Sequence, residues 1–574
     1  VQNVDKPRLL LDAVVLGVMG GLAAQLFTWL LNASLWLFLQ KVAGYTPPGL
    51  PGDGGPLTQV VGPHGLWLIP LVTTAGGLLS GVIVYTWAPE AEGHGTDTVV
   101  KALHWTNGKL RARVAPIKMV ASAITIGSGG SAGREGPTAL IAAGFGSIYA
   151  TWLKRSDRER RLIVLMGMAA GLSAIFRSPI GTAIFAVEVL YGGMEFESEG
   201  LLYCMLSAIV AYAVNGAFVG FKPLFAVPGQ IPPIEAGHYV WYVALGAASG
   251  VLATMLPEVF YRMRDGFHAL PVPAWVKPGV GGLLVGLIAL KLPQVLGGGY
   301  GWMQQAIDGQ MALRLLLLLL GAKLLAFSLT VSSGGSGGVF APSLFVGAML
   351  GGAFSGLSHH APAGLVIVGM AAVFGAAARV PIATLLMVVE MTGGYSLLVP
   401  AGLAVMLSFI IQRYLSRFVK YGSLYEAQLA DRTDSPAHQL EQVDIAVRLL
   451  EHGGITWPGE VTHVRLLALL QSGLQLDLED GSKLMGGVLK PESSWTGKEI
   501  QARTSDEAVL HTKIVTVLRG TSVLLARDKT VLQPGDRLMV VVQPEGVAAL
   551  AKELGPLTAQ SENDSHLTHD PQAA

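Results

Sequence analysis

The sequence predicts an all-α polytopic membrane protein made of two related halves, followed by a small α+β domain. Three observations carry that expectation. Apolar runs long enough to cross a bilayer recur from Leu9 to about Gln412, one Gly/Pro-rich pattern occurs twice, and charge rises after Arg417. Roughly 20 apolar residues suffice for one crossing.

Of 574 residues, 51% are hydrophobic and 14% charged, and mean hydropathy is +0.51. A soluble domain of this size needs far more charge to cover its surface. Lys+Arg and Asp+Glu balance at 39 each, so charge directs the chain to neither nucleic acid nor acidic substrates. The one cysteine, Cys204, lies in an apolar run, which excludes a disulfide framework or a thiolate metal site. The 73 glycines are spread through apolar segments and suit close helix packing and broken helices. The first apolar stretch, 9–40, is too long for a cleavable signal, and no small-residue cleavage site bounds it.

Lys6 and Arg8 precede that stretch, which places the N-terminus inside by the positive-inside rule. The basic loop Lys154, Arg155, Arg158, Arg160 and Arg161 is expected on the same side, as are Arg413, Arg417 and Lys420. Between them lie near-uncharged runs at about 66–87, 137–153, 162–190, 200–220, 238–257, 279–292, 311–331, 342–358, 363–392 and 395–412. Several are short or interrupted by Gly, Ser and Pro. Such breaks are tolerated in hydrocarbon only when buried in protein or lining a cavity. The membrane part is assigned to 1–430, with halves at about 9–220 and 238–430.

A linker at 431–481 carries an amphipathic stretch at 440–450 and the pair Gly453-Gly454. From about Ser482 short β-like runs take over, at 484–490, 514–518, 522–526 and 537–542, with Pro534-Gly535-Asp536 as a turn. A compact domain over 482–556 is expected, cytoplasmic because basic residues precede it. The tail 557–574 is polar and expected to be disordered.

The repeat locates a site. Ser128-Gly-Gly-Ser-Ala-Gly-Arg-Glu-Gly-Pro-Thr138 reads against Ser333-Gly-Gly-Ser-Gly-Gly-Val-Phe-Ala-Pro-Ser343. Gly167-Met-Ala-Ala with Arg177, Pro179, Thr182 and Glu188 matches Gly369-Met-Ala-Ala with Arg379, Pro381, Thr384 and Glu390. Matched Gly/Pro-interrupted segments in two halves mark the substrate site of membrane transporters. Pro137 and Pro342 each sit where a first helical turn starts. A helix N-terminus carries about half a positive charge and orphan N–H donors, which favours an anion. Two facing N-termini therefore form an anion site without a buried Lys or Arg, which would hold the ion too tightly for throughput.

At these residues the chain resembles the CLC family of chloride channels and chloride/proton antiporters, over roughly residues 9–430. Gly133-Arg134-Glu135-Gly136-Pro137 matches the family's GREGP motif, and Gly338-Val339-Phe340-Ala341-Pro342 its GxFxP motif. Gly93-His94-Gly95-Thr96-Asp97 stands in the place of a GSGIP motif, and Tyr425 matches the pore tyrosine. The resemblance implies about eighteen helical segments in two inverted repeats, and a homodimer with a separate pathway in each subunit. It makes Glu135 the gate and groups His94, Gly95, Arg134, Gly136, Val339, Phe340 and Tyr425 as anion-binding positions. Glu135 has an alternative reading as a charge paired with Arg134. His94 replaces the family's central serine; it either donates a ring N–H to the anion or caps and packs at a helix start. Asp97 replaces the motif proline and is expected to point away from the path as a first-turn acid.

Val189, next to Glu188, stands where antiporters of the family usually carry a proton-transfer glutamate and channels commonly carry valine. Glu195, Glu197 and Glu199 lie close by as alternative relays, although a solvated acidic face is the expectation for at least two of them. The resemblance therefore favours a gated chloride channel over an antiporter. Residues 482–548 resemble a TrkA-C module, mainly through Gly535-Asp536-Arg537-Leu538, and imply a small cytoplasmic ligand.

Two other classes compete. Gly334-Gly335-Ser336-Gly337 reads as the G-x-S-G of intramembrane serine proteases, but such enzymes need a membrane histidine, and His359 and His360 fall in an expected loop. A cation transporter is suggested only by the soluble domain, whereas cation sites use carbonyls or carboxylates. The chain is thus expected to be no enzyme, to need no cofactor or metal, and to lie in the plasma membrane among lipid.

Overall fold

The computed structural model describes residues 6–50, 58–227, 236–358, 362–438, 476–477, 481–500, 512–519, 522–525 and 530–555. It divides into two compact units at Asp431/Arg432.

The first unit is helical. Its first half runs α1 (Lys6–Leu35), α2 (Ile69–Trp87), α3 (Thr96–Trp105), α4 (Val114–Gly127), α5 (Glu135–Trp152), α6 (Asp157–Phe176), α7 (Pro179–Glu188) and α8 (Ser198–Val219). The second half runs α9 (Tyr239–Ala269), α10 (Lys277–Ala289), α11 (Tyr300–Ile307), α12 (Leu313–Ser332), α13 (Phe340–Ser358), α14 (Pro362–Ala377), α15 (Pro381–Thr392) and α16 (Leu398–Leu415). The two series match element by element: the starts of α5, α6, α7 and α8 precede those of α13, α14, α15 and α16 by 205, 205, 202 and 200 residues. Between α1 and α2 lies a small antiparallel pair, β1 (Tyr45–Thr46) and β2 (Val60–Val61).

Among the described residues, seven helical stretches are long and apolar enough to span a membrane. Leu11, Leu22, Leu26 and Trp29 on α1 are exposed, as an outer surface solvated by acyl chains requires. In contrast, α13 is enclosed by protein along most of its length. Gly347 and Gly369 bring α13 and α14 into backbone contact; a Cβ on either would run into the other's carbonyl. Several charged side chains buried inside this unit are paired. Asp12 on α1, for example, accepts from Tyr149 Oη at 2.7 Å and from Arg155 Nη2 at 2.7 Å, as burial of a charge demands.

The runs at 162–190 and 363–392 each prove to be two helices. Pro179 and Pro381 open α7 and α15, and the residue before each is extended, Ser178 at φ −133° and Val380 at φ −130°, because a proline disfavours the helical region in its predecessor. Arg177 and Arg379 both sit just ahead of the break in the left-handed region, at φ 55°. The first run also departs from a simple helix, since α1 passes into a π-helical turn at Trp36–Val42. The short helices α3, α4 and α11 were not among the apolar runs, because each is brief or carries charge.

The second unit is an antiparallel sheet of β3 (Leu476–Asp477), β4 (Lys483–Leu489), β5 (Thr512–Arg519), β6 (Ser522–Leu525), β7 (Arg537–Val542) and β8 (Leu554–Gly555). Strand order is β3-β4-β7-β5-β6, with β8 also pairing β4, and a short helix α17 (Val547–Glu553) precedes β8. The four β-like runs read from the sequence fall on β4, β5, β6 and β7. Alternating residues Leu538, Val540 and Val542 join Leu489, Trp495, Val517 and Leu550 in its core. The stretch 440–450, Gly453-Gly454 and the tail 557–574 lie outside the described residues.

The Pro534-Gly535-Asp536 turn has a structural duty. Gly535 takes φ 81°, a conformation open to glycine. It delivers the buried Asp536 to Arg519, which donates through Nε and Nη2 at 2.8 Å each, while Gln533 N donates at 2.8 Å. This bidentate pair raises the Arg519 pKa above its usual value. Replacing Asp536 with Ala is expected to destabilise this unit by about 1–3 kcal/mol, read as faster hydrogen exchange at the β5 and β7 amides.

Candidate functional site

The two halves meet where the repeat was found. Gly133 and Gly338 form an antiparallel bridge, each N–H donating to the other's carbonyl at 2.7 Å. One residue beyond Arg134 the chain enters α5, and one beyond Val339 it enters α13. Both helices thus start from one bridge, with the unpaired N–H groups of their first turns directed into the same region. Pro137 and Pro342 occupy the third helical position, still within the turn whose N–H groups have no helical acceptor. A methyl on Gly338 would sit 2.9 Å from Gly136 N and 3.0 Å from Gly133 O.

A third N-terminus arrives alongside. Gly337 N donates to Gly93 O at 3.1 Å, and a Cβ on Gly95 would lie 2.8 Å from Gly136 O, so the turn into α3 rests on the turn into α5. That turn is pinned by a side chain the sequence reading missed. Lys118 on α4, fully buried, donates Nζ to Ala91 O at 3.0 Å and Gly93 O at 2.6 Å. Its counterpart Lys323 on α12, also fully buried, donates to Val295 O at 2.8 Å and Gly297 O at 2.6 Å. The signal was present: each lysine stands ten residues ahead of the repeated serine, Ser128 or Ser333.

Tyr425 closes the region. Its loop is held by Tyr261 Oη on Leu424 O at 2.9 Å and by Ala427 N on Asp97 Oδ1 at 2.8 Å. Asp97 is therefore a tether for the tyrosine loop and not merely a first-turn acid. The Tyr425 ring lies 5.5 Å from His94 and 6.3 Å from Phe185, and Phe185 lies 6.1 Å from Phe340. Phe176 and Phe374 wedge Phe340 at 4.4 and 3.9 Å. His94, Gly95, Glu135, Gly136, Val339, Phe340 and Tyr425 are thereby gathered into one buried cluster.

Glu135 is fully buried, and neither of its carboxylate oxygens has a hydrogen-bond partner. The groups acting on it are Arg134 and the backbone N–H groups of residues 134, 135 and 341. His94 is also buried, with Nδ1 lacking a partner. Arg134 points elsewhere. Its guanidinium lies 5.2 Å from the Tyr300 ring and lines a cavity of about 690 Å³ with Asn32, Gly297 and Gly299. A second cavity, about 760 Å³, includes His94 and Gly95 in its lining and carries both signs of charge, Lys101, Arg264 and Lys277 beside Glu90, Glu92 and Glu426.

Glu188, placed beside a proton path by resemblance, has a structural occupation. Its carboxylate accepts from Ile382 N at 3.2 Å and Ala383 N at 2.7 Å, the first turn of α15. Glu390, at the end of α15, accepts from Ile180 N at 3.3 Å, Gly181 N at 2.9 Å and Ser178 Oγ at 2.5 Å, at the first turn of α7. The two glutamates cap each other's helices. Val189 is buried, and its carbonyl accepts from Gln428 Nε2 at 3.0 Å.

Of the three acids, Glu197 departs from the expected solvated face, whereas Glu195 and Glu199 stay partly exposed. Glu197 is buried, accepting from Tyr191 Oη at 3.0 Å and Arg161 Nη2 at 3.5 Å, Glu199 pairs with Arg158 at 2.8 Å, and Glu195 is half-buried and engaged. Arg158 and Arg161, from the basic loop at the start of α6, neutralise Glu199 and Glu197. Ser336 of the G-x-S-G segment is buried, 2.8 Å from Ser122 Oγ and donating to Ala91 O at 3.0 Å. Its partners are a serine and a carbonyl, not an imidazole. His359 and His360 lie outside the described residues.

Residues 76–413 match the family model for the voltage-gated chloride channel. The chain belongs to the CLC family. ClcB of Escherichia coli, a voltage-gated ClC-type chloride channel, is 30% identical over 420 residues, covering 71% of this chain and 97% of that protein. A putative ClcB-like chloride channel protein of Ralstonia nicotianae is 31% identical over 359 residues, covering 60% and 82%. Among solved structures, a slow cyanobacterial Cl⁻/H⁺ antiporter superposes with a TM-score of 0.62 at 22% identity, covering 72% of this chain and 96% of that one. A CLC-type fluoride/proton antiporter gives a TM-score of 0.62 at 21% identity, covering 75% and 99%. These structures share the CLC fold. Residues 487–555 match the TrkA-C domain. The protein is thus a multi-pass CLC chloride transport protein carrying a TrkA-C domain, not an enzyme.

The reciprocal caps of this CLC chain give a direct expectation. Glu188→Ala and Glu390→Ala should each remove charge-assisted bonds to helix N–H groups, a loss of about 1.5–3 kcal/mol. Melting of the detergent-solubilised protein should fall by similar amounts for the two variants. A drop for Glu390→Ala alone would show that Glu188 is not a cap.

Proposed function

We propose that the chain is a gated chloride channel in which the Glu135 carboxylate is the gate. The observation that carries this reading is a fully buried carboxylate with no hydrogen-bond partner, beside the first turns of two helices from opposite halves. Helix N-termini favour an anion, so an ionised Glu135 and a chloride compete for the same N–H groups. Protonation removes the competitor. Chloride arriving past Arg134 on one side or His94 and Gly95 on the other would then be held by N–H groups at Gly136, Val339 and Phe340 and by the Tyr425 hydroxyl. His94, with Nδ1 unpartnered, stands where the family has serine and would offer its own ring N–H.

Val189 supports a channel over a chloride/proton antiporter, since no titratable group occupies that position. Glu188, committed to the α15 N-terminus, is a poor relay. The curated relatives bear the name of channel. The antiporter reading has one observation in its favour, the buried Glu197–Tyr191 hydrogen bond at 3.0 Å, and two antiporters share the fold. As further parts of the proposal, the protein is a homodimer in the plasma membrane, with its N-terminus and TrkA-C domain cytoplasmic and a small ligand regulating the pore through residues 482–556.

Reversal potentials under opposed chloride and proton gradients test this. A channel follows chloride alone; uphill proton movement driven by chloride would establish the antiporter instead. Glu135→Gln, mimicking the protonated gate, is expected to flatten the pH dependence of chloride flux while leaving flux high. A variant that keeps the wild-type pH profile would remove Glu135 from the gate. Potassium flux measured in the same liposomes should stay at background.

A further inference from the structure

The two left-handed arginines ahead of α7 and α15 are equivalent by repeat position but not by surroundings. Arg177 Nη1 donates to Lys222 O at 3.0 Å, and Glu390 lines the same small cavity. Arg379 instead faces a second arginine. Its Nη2 donates to Ser416 Oγ at 3.1 Å, and its Nε has no partner. Arg413, in the last turn of α16, donates Nη1 to Gly192 O at 3.3 Å. A Cβ built on Gly192 would lie 3.4 Å from Arg379 Nη1. Two guanidinium groups therefore flank one glycine.

Among the described residues no carboxylate pairs with them. Among the described residues neither Arg379 nor Arg413 makes an ion pair, whereas Arg155, Arg158, Arg161 and Arg264 each do. Glu188 is occupied by the α15 N–H groups. Asp431 Oδ1 lies 3.2 Å from the Cβ position of Gly193 and bridges to neither arginine. Two like charges beside one glycine repel unless an anion joins them.

The level in the membrane identifies that anion. Residues 395–418 form one apolar membrane-spanning stretch, and Tyr414 and Phe418 at its end are 59% and 73% exposed. Exposed aromatics of this kind sit at the height of lipid headgroups. Arg417 extends over the Tyr414 ring at 6.0 Å. Guanidinium forks match phosphate oxygens in shape and charge. We propose that Arg379 and Arg413 hold the phosphate of an anionic phospholipid, a binding site separate from the chloride path and independent of whether the chain is a channel.

Native mass spectrometry of the full-length protein released from mixed phosphatidylglycerol and phosphatidylcholine nanodiscs tests this. The wild type should retain phosphatidylglycerol preferentially. Arg413→Gln should lower that retention roughly fivefold, the equivalent of about 1 kcal/mol per basic residue at an anionic leaflet, and Arg379→Gln should do the same. Should Arg379→Gln fail to fold, Arg413→Gln decides alone, because its side chain is exposed. Lys420→Gln, whose ammonium already pairs with Asp265 at 3.1 Å, should leave retention unchanged. Unaltered retention in Arg413→Gln, or equal loss in Lys420→Gln, would overturn the site. Displacement of the lipid by millimolar inorganic phosphate would overturn the lipid as its occupant.

Discussion

Two hydrogen bonds of 2.7 Å between Gly133 and Gly338 hold the halves together at the point from which both broken helices start. Everything the site does depends on that bridge. Loop backbone inside a bilayer must be satisfied by protein, and at this bridge each loop supplies the other's donor and acceptor. Because the bridge sets the separation of the two N-termini, it also sets where an anion feels both. A side chain at 338 would meet the backbone of Gly136 and Gly133, and one at 133 would meet the Glu135 carboxylate.

Around this centre the halves exchange parts repeatedly. Lys118 and Lys323 pin equivalent turns by donating to two carbonyls each, while Glu188 and Glu390 cross over to cap helices of the opposite half. A buried ammonium or carboxylate is tolerable only with such partners. These four charges are the scaffold of the site. Among the described residues Glu135 is a buried carboxylate whose oxygens meet no side-chain donor, which separates its role from that of the others by chemistry and not by position alone.

The residues that were legible in the sequence are those whose chemistry is local. Pro179, Pro381 and the glycine turns announce breaks through their own backbone preferences, and the duplicated pattern around Ser128 and Ser333 showed that the breaks come in pairs. What the sequence hid is set by tertiary pairing. Hydropathy merged α6 with α7 and α14 with α15, because a break of two or three residues hardly alters an averaged window. The duties of Lys118 and Lys323 were invisible, since nothing local tells a lysine which carbonyls it will meet. Glu197 looked like part of a polar loop, and only folding against α6 brings Arg161 to it.

The exchanged caps have a consequence for how the chain comes into being. A ribosome delivers the N–H groups at Ile180 and Gly181 some two hundred residues before Glu390 exists to accept from them. Until then the start of α7 carries open donors in the membrane, where water is scarce. Each half thus finishes a helix start of the other, and the cap on α7 closes only once α15 has been made.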